Sequence, residues 1–205
     1  MAGIGLYGVY YSPAVITDGV VTGYTGASIM GKAISASFEQ AEPDDNPLYA
    51  NNAVAEHDSH AGSGGTLTLT LDRLTQAAVA DLYGLTIKTS TVEVASTDVT
   101  GTGFDYTGDE QSKPVGVAFI RWCQENDDRN KHEVIIFRNV TFGFPSIDAQ
   151  TLGETIEWQT PEISGTVIGK EGDGSNPWFK TRVFPSQAAA EQFIENEFAA
   201  GAATT

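Results

Sequence analysis

A chain of 205 residues that sets 27 acidic against 11 basic side chains carries a formal charge of −16. That surplus excludes a surface built to grip nucleic acid, which needs clustered Lys and Arg to neutralise phosphates. The 40% hydrophobic content excludes a disordered chain, and the single cysteine, Cys123, excludes an intrachain disulfide.

Residues 3–11 are rich in Gly, Tyr and β-branched side chains and predict an extended segment. Residues 12–28, with Pro13, Gly19, Gly23 and Gly26, predict a loop. Two alternating patterns follow, Ile34-Ser35-Ala36-Ser37-Phe38-Glu39 and Thr66-Leu67-Thr68-Leu69-Thr70-Leu71. Each reads as a strand with one oily and one wet face. Ile34, Phe38, Leu67 and Leu69 are expected inside; Ser35, Ser37, Glu39, Thr66, Thr68 and Thr70 are expected outside.

Between these strands lies an acidic stretch, residues 40–64, without Lys or Arg. Hairpins usually close in a few residues, so a connection this long points to a dedicated role. It predicts an arm loop that grasps a neighbouring copy of the chain through Asp44, Asp45, Leu48, Tyr49, Asn51, Asn52, Glu56 and His57. Leu48 and Tyr49, its large apolar residues, are the expected anchors.

Leu74, Ala78 and Leu82 then fall on one helical face, predicting a helix over 73–83 with Asp72 as N-cap and Gly84 at its stop. Residues 90–112 show strand-like alternation only at Val92 and Val94. Two β-rich runs, Val115–Cys123 and Glu133–Phe142, flank a polar turn that places His132 near its end. Val115, Val117 and Phe119 share one face while Ala118, Ile120 and Trp122 share the other. A hairpin apolar on both faces belongs at the centre of the fold.

From 152 the alternation returns, with Leu152, Glu154, Ile156 and Trp158 on one face, of which Ile156 and Trp158 are expected inside, and Thr155, Glu157 and Gln159 on the wet side. Pro161 interrupts, and 163–168 resumes a strand. Ser186 caps a second helix over about 186–199, and the end after Gly201 should fray. The class is mainly β with two peripheral helices, one domain over 1–205.

No motif argues for an enzyme, a metal or a cofactor. Gly3-x-Gly5-x-x-Gly8 has the spacing of a dinucleotide fingerprint, but no strand precedes it and Val-Tyr-Tyr-Ser-Pro follows. His57 and His60 could share a metal on a helix, yet they sit in a Gly- and Asn-rich arm. Asp173-Gly-Ser-Asn176 lacks the closing Glu of a calcium loop. Asn139-Val140-Thr141 falls in a strand, and Cys123 reads as a buried, inert thiol. Carboxylates are plentiful, but none sits in an apolar setting that would tune it for acid–base work. No secretion signal and no apolar run of roughly 20 residues is evident, so a soluble product made in the cytoplasm is expected.

In order along the chain, six segments carry a resemblance. They are Gly5-Leu-Tyr-Gly-Val-Tyr-Tyr11, Gly31-Lys-Ala-Ile-Ser-Ala-Ser37, Leu48-Tyr-Ala-Asn-Asn-Ala-Val54, Gly65-Thr-Leu-Thr-Leu-Thr-Leu-Asp72, Pro114-Val-Gly-Val-Ala-Phe119 and Thr151-Leu-Gly-Glu-Thr-Ile-Glu157. The set resembles the major tail proteins, or tail tube proteins, of long non-contractile-tailed bacteriophages. The resemblance covers about residues 3–168 and rests on the ordered set, no single motif being specific.

It implies a tail-tube β-sandwich with one flanking helix, the arm loop between strands, and hexameric rings stacked into a tube that conducts DNA during ejection. The implied partners are further copies of the chain, the tape-measure protein, the tail terminator and the distal tail protein, with DNA passing through unbound and no membrane involved. The implied location is the virion. Under this reading Ser35, Ser37, Glu39, Thr66, Thr68, Thr70, Thr155, Glu157 and Gln159 line the bore. The nearest rival is a ring protein of a contractile injection or type VI secretion apparatus, which shares the tube fold. A metal-dependent hydrolase on the His57/His60 arm and a carbohydrate-binding sandwich using Trp178-Phe179 are more distant alternatives.

Overall fold

The computed structural model describes residues 2–42, 45–50, 53–59, 63–125, 128–145, 147, 149–151, 158–169 and 177–199, with backbone alone for 45–50, 53–59, 128 and 129. The first strands are β1 (Ala2–Thr17), β2 (Val20–Tyr24), β3 (Ser28–Gly31) and β4 (Ala33–Gln40). An arm hairpin follows, β5 (Asp45–Ala50) with β6 (Ala53–Ser59), then β7 (Gly64–Leu71) and helix α1 (Gln76–Tyr83). A second ribbon, β8 (Lys88–Val94) with β9 (Thr97–Gly103), precedes the long hairpin β10 (Val115–Glu125) and β11 (Asp128–Phe142). Strands β12 (Glu162–Ile168) and β13 (Phe179–Phe184) lead to helix α2 (Gln187–Glu197).

The fold is mainly β. Nine strands form one antiparallel sheet ordered β2-β1-β10-β11-β12-β7-β4, with β3 added to β1 and β13 to β11. The β10–β11 hairpin is central, as its two apolar faces predict. Val115, Val117 and Phe119 join Leu67, Leu69, Leu71, Ile163, Val167, Met30 and α1's Leu82 and Tyr83 in one core. Ala118 and Ile120, pointing the other way, meet Ala190, Ile194 and Phe198 in a second. The C-terminal helix is thus the lid of that second core. It docks closely because Gly116 of β10 offers no side chain: a Cβ there would lie 2.5 Å from the Tyr24 ring and 2.7 Å from that of Phe198. Trp122 is the exception on its face, half-buried beside Tyr7 at 6.3 Å.

Several expectations are corrected. Residues 12–28 are not loop: β1 runs to Thr17 and turns at Asp18-Gly19, both at positive φ, into β2. The arm at 45–59 is a β-hairpin with register Leu48↔Glu56 and Pro47↔His57, not an open loop. Residues 88–103 form a second complete hairpin. Helix α1 starts three residues late, because Thr75 accepts the capping bond from the Ala78 N–H while the Asp72 carboxylate takes the Lys32 N–H at 2.8 Å. His132 lies buried within β11, not in a turn.

Ile34 is 53% exposed instead of buried, since the β4–β7 register slips between Ala33 and Ser35 and that bulge carries Ile34 outward. Trp158 is 83% exposed in irregular chain, so it does not pack in the core. Its neighbours Leu152, Thr155, Ile156 and Glu157 lie outside the described residues.

Candidate functional site

Three strands bring the wet positions into one surface. Antiparallel pairing sets Ser35, Ser37 and Glu39 of β4 opposite Thr70, Thr68 and Thr66 of β7. The far edge of β7 pairs those threonines with Glu162, Ser164 and Thr166 of β12. Side chains alternate along every strand, so the result is three rows across the sheet: Ser35–Thr70–Glu162, Ser37–Thr68–Ser164 and Glu39–Thr66–Thr166. The last row continues to Thr141 of β11, paired with Thr166.

Hydroxyls satisfy one another along these rows. Ser35 Oγ donates to Thr70 Oγ1 at 2.9 Å, and Thr68 Oγ1 and Ser164 Oγ lie 3.0 Å apart. Beneath them Leu67, Leu69, Leu71, Ile163 and Val167 are buried. At about 25 cal/mol per Å² of apolar surface, that underside fixes which face each strand presents. Close packing is aided by Gly165, which faces the core between Leu67 and Phe142.

All six bore-lining residues expected on the first two strands therefore share one face. Of the three expected on the third ribbon, Gln159 is exposed in irregular chain, and Thr155 and Glu157 lie outside the described residues. The third strand is supplied by β12, whose Glu162, Ser164 and Thr166 were legible as an alternation Glu-Ile-Ser-Gly-Thr-Val but were not assigned to the wet face. Among the arm residues, Asp45, Leu48, Tyr49, Glu56 and His57 fall on the β5–β6 hairpin, which is a separate two-stranded sheet. Asp44, Asn51 and Asn52 lie outside the described residues.

Among the described residues of these rows there are two carboxylates, Glu39 and Glu162, and no Lys or Arg. The surface can accept and donate hydrogen bonds weakly and everywhere, and it offers no ionic purchase to a phosphate. Other constellations recede in the structure. Gly3, Gly5 and Gly8 sit inside β1 against β10, without the helix N-terminus a pyrophosphate needs. Trp178 and Phe179 belong to an aromatic cluster: their rings lie 5.8 and 6.4 Å from that of Phe38, and Phe179, 38% exposed, lies 5.3 Å from Phe137.

An open cavity of about 690 Å³ lies between β1 and β4 over Leu6, Phe38, Phe119 and Phe137. Its one charged lining residue, Arg121, is tied to Glu133 at 2.5 Å, which holds the guanidinium pKa above its usual value. Among the described residues no three His, Cys, Asp or Glu side chains lie close enough to share a metal ion, and no helix is long and apolar enough to cross a membrane.

No family model and no curated protein matches the chain. What the hydroxyl surface can do follows from its own chemistry.

Proposed function

We propose that the chain is the subunit of a bacteriophage tail tube, forming stacked hexameric rings through which DNA leaves the particle. The observation that carries this reading is the hydroxyl and carboxylate surface on β4, β7 and β12, backed by a dry core and empty of Lys and Arg. A conduit for DNA has to touch a polyanion without holding it. Short hydroxyls replace some of the water's hydrogen bonds, and carboxylates push phosphates toward the axis, so no register along the bore is preferred.

Two further features support assembly. The arm hairpin and the β8–β9 ribbon are each separate two-stranded sheets, and such ribbons gain stability when a partner covers them. The tape-measure, terminator and distal tail proteins would meet the tube inside and at its ends. Negative-stain microscopy of the concentrated purified protein tests the proposal. Hollow rods or rings are expected; featureless particles at every concentration would overturn it.

A further inference from the structure

The β8–β9 ribbon carries more exposed β-branched surface than its own subunit accounts for. Every residue from Lys88 to Thr102 is exposed, and at its base Thr102 Oγ1 donates to Gln76 Oε1 at 3.1 Å. Register places Val92 opposite Val99, with Val94 two residues on, so three valines share one face at 58, 50 and 56% exposure. The other face sets Glu93 directly opposite Asp98, a like-charge pair that costs stability wherever it is unanswered. At the tip, Ala95 and Ser96 both take positive φ, which makes an abrupt turn between the two faces. A ribbon with valines on one side and two carboxylates on the other, joined by a tight end, is shaped to enter a recess end-on.

A complementary surface exists on the same chain. Ile29 of β3 is 59% exposed, and β3 runs against the 72–75 segment, where the Thr75 N–H donates to the Met30 carbonyl and the Asp72 N–H to that of Lys32. A Cβ on Gly31 would lie 2.2 Å from the Arg73 carbonyl, and Thr75 Oγ1 donates to the Ile29 carbonyl, so the exposed Lys32 and Arg73 belong to the two segments that meet at the β3 end carrying Ile29. Neither cation forms an ion pair among the described residues, in a chain where acids outnumber bases 27 to 11. Asp72 is the local acid, and its carboxylate is engaged by the Lys32 N–H.

We infer that the tip of the β8–β9 ribbon docks on the Ile29, Lys32 and Arg73 surface of a second copy of the chain. The valines cover Ile29, and the two long cationic side chains reach round the tip to Glu93 and Asp98. The two surfaces differ, so the contact is head-to-tail and builds a ring when the rotation closes. Three valines and two carboxylates cover far less than the roughly 800 Å² per partner of a stable pair. The contact therefore holds in a closed ring, where each copy makes it twice, and is weak between two isolated copies. The inference rests on the proposal that copies assemble, and adds which surfaces meet within a ring.

Mixing two pools, each with one added cysteine, tests it, the buried Cys123 being left in place. Val94→Cys in one pool and Ile29→Cys in the other should form a disulfide-linked pair on mild oxidation of assembled protein, while neither pool cross-links alone. Glu93→Lys with Asp98→Lys in the first pool should cut the yield at least tenfold. Lys32→Glu with Arg73→Glu in the second should restore it, and circular dichroism should show every variant folded. Cross-linking of Val94→Cys to itself would mean that ribbons pair with ribbons and would overturn the inference. Rods that form without the mixed cross-link, or charge reversals that do not rescue, would overturn it and leave the tube reading standing. Absence of any self-association would remove both.

Discussion

Tyr83 couples the core to alkaline pH. Its hydroxyl donates to the Gly143 carbonyl at 2.8 Å, and burial, with the charge of Tyr106 second, pushes its pKa from 10 up to about 12. The fold thus prefers the neutral phenol, so this contribution is whole below pH 10 and is lost as pH rises through about 12. Tyr11 is raised in the same sense, by burial first and then by its bond to Asp81. The urea midpoint should stay level up to about pH 9 and then fall steeply. Tyr83→Phe should lose only part of that fall, and an unchanged profile in Tyr83→Phe would show that Tyr83 is not one of the groups responsible. Gly165 makes a steric prediction. A Cβ there would lie 2.6 Å from Phe142 Cδ1 and 2.9 Å from Val140 Cγ1, so Gly165→Ala should destabilise by about 1–3 kcal/mol in urea unfolding. The period-two pattern around Gly165 was legible in the sequence. The need for glycine was not, because it arises from Phe142, more than twenty residues away along the chain.

Helix α1 shows how two valid local signals compete. Asp72 and Thr75 are both good caps, and spacing cannot choose between them. The choice is tertiary: β3 and Lys32 present an N–H that occupies the Asp72 carboxylate, leaving Thr75 to receive the Ala78 N–H. Thr75→Ala should therefore cost about 1 kcal/mol in chemical denaturation; a neutral result would return the cap to Asp72. The same limit governs the hairpins. Residues 12–28 read as loop, and 90–112 showed strand-like alternation only at Val92 and Val94, yet strands within both stretches pair because a neighbouring strand supplies the partner. The β7 strand was legible because burial on one face leaves a period of two in the residues, and β10–β11 because burial on both faces leaves near-continuous apolar runs. Ile34 broke that rule at a bulge, which a repeating pattern does not announce.

Under the proposed function, the hydroxyl surface acts once several copies enclose a space. One subunit contributes three short rows of Ser, Thr and Glu, and the proposed ring would join them into one hydroxyl-rich wall carrying carboxylates. Duplex DNA carries one charge per roughly 1.7 Å of its axis, so in the proposed tube each wall residue would face a phosphate at nearly every step of passage. Ser37 and Thr68 stand opposite each other in the middle row. Lysines there would add cations where none exist, without disturbing Leu67 or Leu69 beneath. Each phosphate contact so created adds about 0.9 to the salt dependence of DNA retention. Particles whose tubes carry Ser37→Lys and Thr68→Lys should release DNA more slowly than wild type at low ionic strength and recover as salt rises. Wild-type release should depend far less on salt. Release kinetics followed by dye binding to emerging DNA, at two salt concentrations, measure this directly. Equal rates for variant and wild type at low salt would mean that these rows do not face the passing DNA.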